Sequence, residues 1–125
     1  MQDGKVRVLV VDRSKDFVNS LAMLLQLQGC DVRTGATAAD ALNELARFQP
    51  NVLILDSHLQ DGADGLDVAR RLCDQELAQR PLIIIMSAWA TDQHRRAALA
   101  ACADHFLPKP ADPDAVVELA IAGRT

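Results

Sequence analysis

Aromatic residues, runs of basic charge and long apolar stretches are all scarce in this chain of 125 residues. Aromatic residues make up only 3% of the chain although half of it is hydrophobic, so the core must consist mainly of aliphatic side chains. The net charge is -4 and there is no basic run, which argues against direct binding to nucleic acid. The longest apolar run, over residues 81–90, is too short to cross a bilayer, and the polar start does not resemble a signal peptide. We therefore expect a cytoplasmic protein without a membrane partner.

Cysteine is also sparse, and its pattern suggests no metal or redox site. Cys30, Cys73 and Cys102 are odd in number, widely spaced and outside any CxxC motif, and no histidine stands near them at metal-ligand spacing. We interpret the three as small buried hydrophobic residues, although the fold could still bring two of them together.

Short β-branched runs alternate along the chain with longer stretches of helical periodicity. The predicted strands are 6–11, 30–34, 52–55, 82–86 and 105–107, and a helical pattern follows each of them. Right-handed crossovers would lay these helices on both faces of a parallel five-stranded sheet. The length fits a single domain, 1–125, of the α/β class.

The polarity of the strands indicates their order in the sheet. The first, third and fourth runs are apolar throughout, as expected of strands flanked on both sides, whereas the second and fifth carry polar residues. This pattern favours the flavodoxin-like order 2-1-3-4-5 over the dinucleotide-binding order, in which the third strand lies at an edge. The predicted fold is therefore a (βα)5 sheet of that order.

Polar side chains follow the strands at the edge where open α/β sheets bind ligands. Asp12 and Arg13 follow the first strand, Asp56 the third, Ser87 the fourth and Lys109 the fifth. No glycine-rich phosphate loop, GxSxG elbow or DxDx[TV] motif is present, which argues against nucleotide binding, triad hydrolysis and phosphohydrolase activity. The set suits phosphoryl chemistry on a carboxylate, in which a divalent cation, a hydroxyl and an ammonium assist an aspartate nucleophile.

Four segments, in this order and each at a strand end, resemble the landmark segments of bacterial response-regulator receiver domains: VLVVDRSKD, LILDSHLQDGADGLDVARRL, IIIMSA and ADHFLPKP. The resemblance covers essentially the whole chain. It implies a receiver of two-component phosphorelay signalling, which is not an enzyme beyond assisting its own phosphorylation and dephosphorylation. The implied partners are a histidine kinase or phosphotransfer protein and a downstream protein or attached output domain.

The resemblance also implies a phosphorylation site and a metal site. It makes Asp56 the phosphoryl acceptor. It places Mg²⁺ between Asp12, Asp56 and the backbone carbonyl of His58.

A switch is implied by the same resemblance. Ser87 and Lys109 would bind the phosphoryl group, with Lys109 followed by a typically cis-linked Pro110, and Phe106 matches the aromatic switch position. The output surface would lie on the fourth helix, fifth strand and fifth helix, where partial exposure is expected for His94, Arg95, His105 and Val116.

Arg13 departs from the family pattern, which has a second acidic residue in its place. With Asp12, Asp56 and Lys109 it brings the formal charge of the set to zero, so we expect Mg²⁺ binding to be weak. Arg13 either occupies the metal position and replaces part of the cation's charge, or points to solvent. The alternative function is a pseudo-receiver that binds its partner without phosphorylation of Asp56.

The loop after Asp56 and the end of the fourth helix also depart from the pattern. Gln60 stands where proline is common, and Asp61 and Asp64 precede glycines, so we interpret both as turn formers rather than metal ligands. Cys102 stands at a helix end where receivers favour a left-handed glycine, so it either costs about 1 kcal/mol there or forces another cap.

Two large side chains, His58 and Trp89, match positions that tune the access of water to the phosphoryl group. We hypothesise that they slow its hydrolysis by obstructing in-line attack. The alternative is that Trp89 is simply a partly exposed loop residue.

Overall fold

The computed structural model describes residues 5–74, 80–89 and 91–122, which form five strands and five helices in strict alternation. The strands are β1 (Arg7–Val11), β2 (Asp31–Gly35), β3 (Val52–Asp56), β4 (Leu82–Ser87) and β5 (His105–Pro108). The helices are α1 (Lys15–Leu27), α2 (Ala38–Phe48), α3 (Gly65–Asp74), α4 (Asp92–Ala100) and α5 (Pro113–Ala122). Each strand begins and ends within one residue of its predicted bounds.

The strands form one parallel sheet in the order β2-β1-β3-β4-β5, which confirms the predicted order. The register pairs Val11 with Leu55 and Asp56 with Met86. The carboxyl ends of β1, β3 and β4 therefore lie side by side, and the polar residues that end or follow them share one edge.

Both faces of the sheet are covered by helices, because apolar side chains alternate between the two faces of each central strand. One face packs against α2, α3 and α4 through Leu9, Val11, Leu53, Leu55, Ile83 and Ile85. The other face packs against α1 and α5 through Val8, Val10, Val52, Ile54, Ile84 and Met86. No helix in the described part of the chain is long and apolar enough to cross a membrane.

The helix starts follow the capping signals in the sequence. The Thr37 hydroxyl accepts a hydrogen bond from the Asp40 N–H at 3.0 Å, and the Asp40 carboxylate accepts from the N–H groups of Ala36 and Thr37 at 2.9 and 3.2 Å. The N–H of Ala36, with that of Thr37, holds the pKa of Asp40 below its usual value. Thr91 caps α4 by accepting from the N–H of His94.

The expected partial exposure of the output residues is confirmed for three of them and wrong for the fourth. His94 and His105 are half-buried and Arg95 is exposed. Val116 is fully buried, because α5 turns the face that carries it towards the sheet and α1.

Two of the cysteines are joined and only half-buried, which corrects the interpretation of all three as small buried hydrophobic residues. Cys73, in the last turn of α3, forms a disulfide with Cys102, in the turn after α4, and their Cα atoms lie 5.7 Å apart. Cys30 is buried as expected. The sequence pattern missed the pair because its two members lie 29 residues apart and meet only when the turn after α4 lies against the end of α3.

Candidate functional site

Two aspartates form the floor of the candidate site. Asp12, directly after β1, and Asp56, at the end of β3, are 1% and 2% exposed. The Oδ1 atom of Asp12 accepts a hydrogen bond from the N–H of Ser14 at 2.8 Å, and Oδ1 of Asp56 accepts from the N–H of His58 at 3.2 Å. Burial raises the pKa of Asp12, against the opposing effects of the Ser14 N–H and the Lys109 ammonium.

Lys109 bridges the two carboxylates. Its Nζ atom lies 2.9 Å from Oδ2 of Asp12 and 3.1 Å from Oδ2 of Asp56. The Lys109 N–H donates to the carbonyl of Ser87 at 2.8 Å, which ties the β5 end to β4, and the Lys109–Pro110 peptide bond is cis. The sequence predicted this side of the site from the strand ends alone.

The outer oxygens of both carboxylates have capacity for a further ligand. Oδ2 of Asp12 and Oδ2 of Asp56 are buried and lie within ion-pair distance of the ammonium, yet neither accepts a well-directed hydrogen bond. Proteins hold Mg²⁺ through one or two carboxylates and several waters, so this pair of oxygens fits the metal. No group of three or more His, Cys, Asp or Glu residues suited to a metal occurs in the described ranges. The donor set is therefore sparse, and the His58 carbonyl stays a prediction as its third member.

Ser87 is buried at the end of β4, and its hydroxyl forms hydrogen bonds with neighbouring residues. Its Oγ atom accepts hydrogen bonds from the Ser57 hydroxyl at 2.8 Å and from the Trp89 N–H at 3.0 Å. Ser57 is itself buried and also lies 3.1 Å from Nδ1 of His58. Ser57 was not predicted from the sequence. Its position directly after Asp56, where the chain still runs beside β4, is the feature that could have identified it.

Arg13 lies at the entrance of the site and pairs with neither aspartate. It is exposed, and it makes no hydrogen bond or ion pair with residues 5–74, 80–89 or 91–122. It nevertheless belongs to the lining of a cavity of about 170 Å³, which is formed by Arg13, Asp56, His58, Ala88, Trp89 and Lys109. A ligand in this cavity would meet the guanidinium, the ammonium and one carboxylate.

His58 and Trp89 stand together at the cavity, as the resemblance implied. Their ring centroids are 6.0 Å apart at an angle of 42°, and Trp89 is 57% exposed. Phe106 is instead buried, and the guanidinium carbon of Arg95 lies 5.3 Å from the centre of its ring. This contact joins the exposed side of α4 to β5.

The loop acids act as turn formers, as interpreted from the sequence. The Asp61 carboxylate accepts from the N–H groups of Ala63 and Ala38 at 3.2 and 3.3 Å, which ties the loop to the start of α2. The Asp64 carboxylate accepts from the N–H of Leu66 at 2.9 Å and opens α3.

Gly65 has a role that its turn dipeptide did not reveal. It is the first residue of α3, and a Cβ atom there would lie 2.0 Å from the backbone carbonyl oxygen of Asp56. Its N–H donates to the carbonyl of Ser57 at 2.9 Å. Glycine is needed because the backbone of α3 lies directly against the backbone of the candidate acceptor.

Comparisons with known proteins agree with this geometry. The chain is 34% identical over 105 residues to the response regulator MprA of Mycobacterium bovis, an alignment that covers 84% of this chain and 44% of MprA. The chain thus spans less than half of that relative.

Solved structures share the fold over nearly the whole chain. A CheY-like receiver domain from Methanospirillum hungatei has a TM-score of 0.86 at 23% identity, covering 97% of this chain and 94% of that one. A response regulator from Burkholderia pseudomallei, solved with a phosphorylated aspartic acid, a calcium ion and citrate, has a TM-score of 0.82 at 27% identity. That comparison covers 93% of this chain and 66% of the other. The model of the response regulator receiver domain matches residues 8–121, and the chain belongs to this family.

Proposed function

We propose that the chain is a phosphorelay receiver in which Asp56 accepts a phosphoryl group from a histidine kinase or phosphotransfer protein. The observation that carries the proposal is the Asp56 carboxylate, whose buried Oδ2 is 3.1 Å from the Lys109 ammonium and which opens onto the cavity. The phosphorylated aspartic acid of the Burkholderia pseudomallei regulator supports the same chemistry here.

The reaction needs an oxygen nucleophile, charge neutralisation and a place for the transferred group. An oxygen of Asp56 attacks phosphorus, the phosphorus–nitrogen bond of the phosphohistidine donor breaks, and the leaving imidazole keeps the electron pair. Lys109 offsets charge on the phosphoryl oxygens. Ser87 binds one of them after its hydroxyl exchanges the contact with Ser57 for one with the new ligand.

Asp12 and Asp56 are the residues proposed to hold Mg²⁺, together with the His58 carbonyl. When bound, the metal would supply positive charge for the phosphoryl oxygens. Lys109 already balances one of the two carboxylates and Arg13 adds a second positive charge nearby, so we propose that the metal binds weakly.

The phosphorylated state is proposed to change a partner surface formed by α4, β5 and α5. Ser87 precedes α4, and the Arg95 contact with Phe106 links that helix to β5. A downstream protein or an attached output domain would bind this surface. The proposed location is the cytoplasm, where the phosphoryl donors work, without nucleic acid or membrane as direct partners.

The pseudo-receiver remains the second candidate, and Arg13 is the observation that favours it. A guanidinium at the cavity entrance gives the site positive charge without a metal ion. In this alternative the domain binds its partner in one state and Asp56 is never phosphorylated.

Acetyl phosphate and beryllofluoride separate the two candidates. The reduced protein is incubated with Mg²⁺ and acetyl phosphate and weighed intact, while Trp89 fluorescence follows titration with beryllofluoride. We expect a mass gain of one phosphoryl group and a saturable fluorescence change, both absent in Asp56→Asn. No mass gain and no fluorescence response would favour the pseudo-receiver.

A further inference from the structure

We propose that Cys73 and Cys102 are a redox modification site, a reversible disulfide that fastens the end of α4 to α3. The site lies outside the phosphoryl cavity and shares none of its lining residues. The proposal therefore does not depend on the phosphorylation of Asp56.

The positions of the two residues suit a disulfide. Their Cα atoms are 5.7 Å apart, which is the common separation for this bond, and the two sulfurs are bonded. Both side chains are half-buried, whereas Cys30 is only 8% exposed and lies in the core beside α1 and α5. Small thiols and disulfides can therefore reach the pair more readily than they can reach Cys30.

The backbone at Cys102 gives a second, independent reason. Its φ is +67°, a left-handed conformation that residues other than glycine adopt at a cost in free energy. The turn is set by the helix end, where the N–H of Cys102 donates to the carbonyl of Leu99 and the N–H of Ala103 donates to that of Ala98. A glycine would make the same turn without strain, but it could not form the stabilising bond to Cys73.

The bond adds a covalent anchor to α4, a helix that buries little of its own surface. Ala98 is the one buried residue of α4, and Leu99 is half-exposed to solvent. The Arg95 contact with Phe106 holds the middle of the helix, and the disulfide fixes the turn that follows it. Reduction would remove this anchor while leaving Ala101 and Ala103 in the core and β4 paired with β5.

The location proposed above is the cytoplasm, where disulfides are usually transient and redox-sensing, and we therefore propose a reversible bond rather than a permanent link. The proposed oxidant is a low-molecular-weight disulfide such as glutathione disulfide. One cysteine thiolate attacks its sulfur–sulfur bond and displaces a glutathione thiolate, forming a mixed disulfide. The second cysteine thiolate attacks the protein sulfur and displaces the other glutathione. Two electrons thus pass from the protein to glutathione disulfide, and excess glutathione reverses both steps.

The first test measures the bond directly. The full chain is equilibrated in buffers of graded glutathione to glutathione disulfide ratio, quenched with acid, alkylated after denaturation and digested for mass spectrometry. We expect a peptide pair crosslinked through Cys73 and Cys102 that rises smoothly with oxidant, while Cys30 is alkylated throughout. The proposal is overturned if this pair is absent at every ratio, or if crosslinks to Cys30 form as readily.

The second test measures what the bond does to the fold. Oxidised protein should melt about 10 °C above reduced protein, because the crosslink closes a loop of 29 residues in the unfolded chain. Cys102→Gly should melt at the same temperature with and without reductant, and it relieves the left-handed strain, so misfolding cannot explain the lost response. Cys30→Ser is the matched control and should keep the full shift. A reductant-dependent shift that persists in Cys102→Gly would overturn the proposal.

Discussion

The Nζ atom of Lys109 lies 3.1 Å from Oδ2 of Asp56, although Lys109 directly follows β5 and Asp56 is the last residue of β3. The same ammonium is 2.9 Å from Oδ2 of Asp12. A single positive charge thus stands between two buried negative charges, and it reduces their mutual repulsion.

Replacing Lys109 with methionine should destabilise the fold, because the repulsion between the two carboxylates is then no longer offset. Lys109→Met keeps most of the side-chain volume but leaves two buried carboxylates without a counter-charge, so we expect a loss of about 2–4 kcal/mol in the free energy of unfolding. Urea unfolding measures it. The double variant Asp12→Asn/Lys109→Met should regain part of the loss, and equal stability of the single and double variants would contradict the repulsion.

Reversing the charge at position 13 should strengthen metal binding. Arg13→Asp adds a carboxylate and removes a guanidinium at the cavity entrance, so we expect Mg²⁺ affinity to rise about tenfold or more. Titration followed by Trp89 fluorescence measures it. Arg13→Gln, which removes charge without adding a ligand, should give a smaller gain. Unchanged affinity in both variants would mean that the guanidinium acts too far from the metal position.

Gly62, in the loop after Asp56, and Gly65, at the start of α3, offer a matched comparison. Gly65→Ala forces a Cβ atom against the Asp56 carbonyl, so we expect a loss on the order of 2–3 kcal/mol and impaired phosphorylation. Gly62→Ala meets open space and suffers only from its positive φ of 81°, which costs about 1 kcal/mol. Urea unfolding and acetyl phosphate labelling test both. Equal losses would show that the contact with Asp56 is not what requires glycine.

Asp40 should make stability depend on pH in a narrow acidic range. Its pKa is lowered in the fold, so it contributes stability that is fully present above its usual value of 3.8 and is lost as pH falls through the lower, folded value. Asp40→Asn should cost about 0.5 kcal/mol near neutral pH, the low end for a capping residue because the side chain is exposed.

That difference should shrink as pH falls through the lower, folded pKa of Asp40, because the native carboxylate then becomes neutral as well. Asp16→Asn, in the first turn of α1, removes a charge without breaking a capping box and is the control. A constant difference across this range would rule out the carboxylate as its source.

Removing Trp89 should shorten the life of the phosphorylated state. Its indole shares the cavity wall with His58, so Trp89→Ala widens the path of water to Asp56, and we expect several-fold faster loss of phosphate. Intact mass after removal of acetyl phosphate gives the rate. An unchanged rate would favour the simpler view of Trp89 as a loop residue.

The sheet could be predicted because the residues that determine each strand are close together in the sequence. The apolar runs that form β1, β3 and β4 mark central strands, and parallel strands must bring Asp12, Asp56 and Ser87 to one edge whatever the details of packing. The roles of these residues rested on the resemblance, and they stay predictions.

What the sequence missed depends on distances between elements. Ser57 was missed because its hydrogen bond to Ser87 requires the β3–β4 register, and Gly65 because its close approach to Asp56 requires the angle of α3. The burial of Val116 likewise depends on how α5 is rotated about its axis. Periodicity identifies a helix face, but α5 is apolar around most of its circumference, so the face was ambiguous.

The Cys73–Cys102 disulfide fastens α4 to α3, and it also separates the chain into a closed covalent ring and two segments outside it. The covalent ring that it closes contains β4 and α4, and hence Ser87, whereas Asp12, Asp56 and Lys109 lie outside the ring. A single proteolytic cut between Cys73 and Ser87 in the oxidised protein would leave one covalently connected molecule. The same cut in the reduced protein would leave two chains, with Asp56 on one and Ser87 and Lys109 on the other.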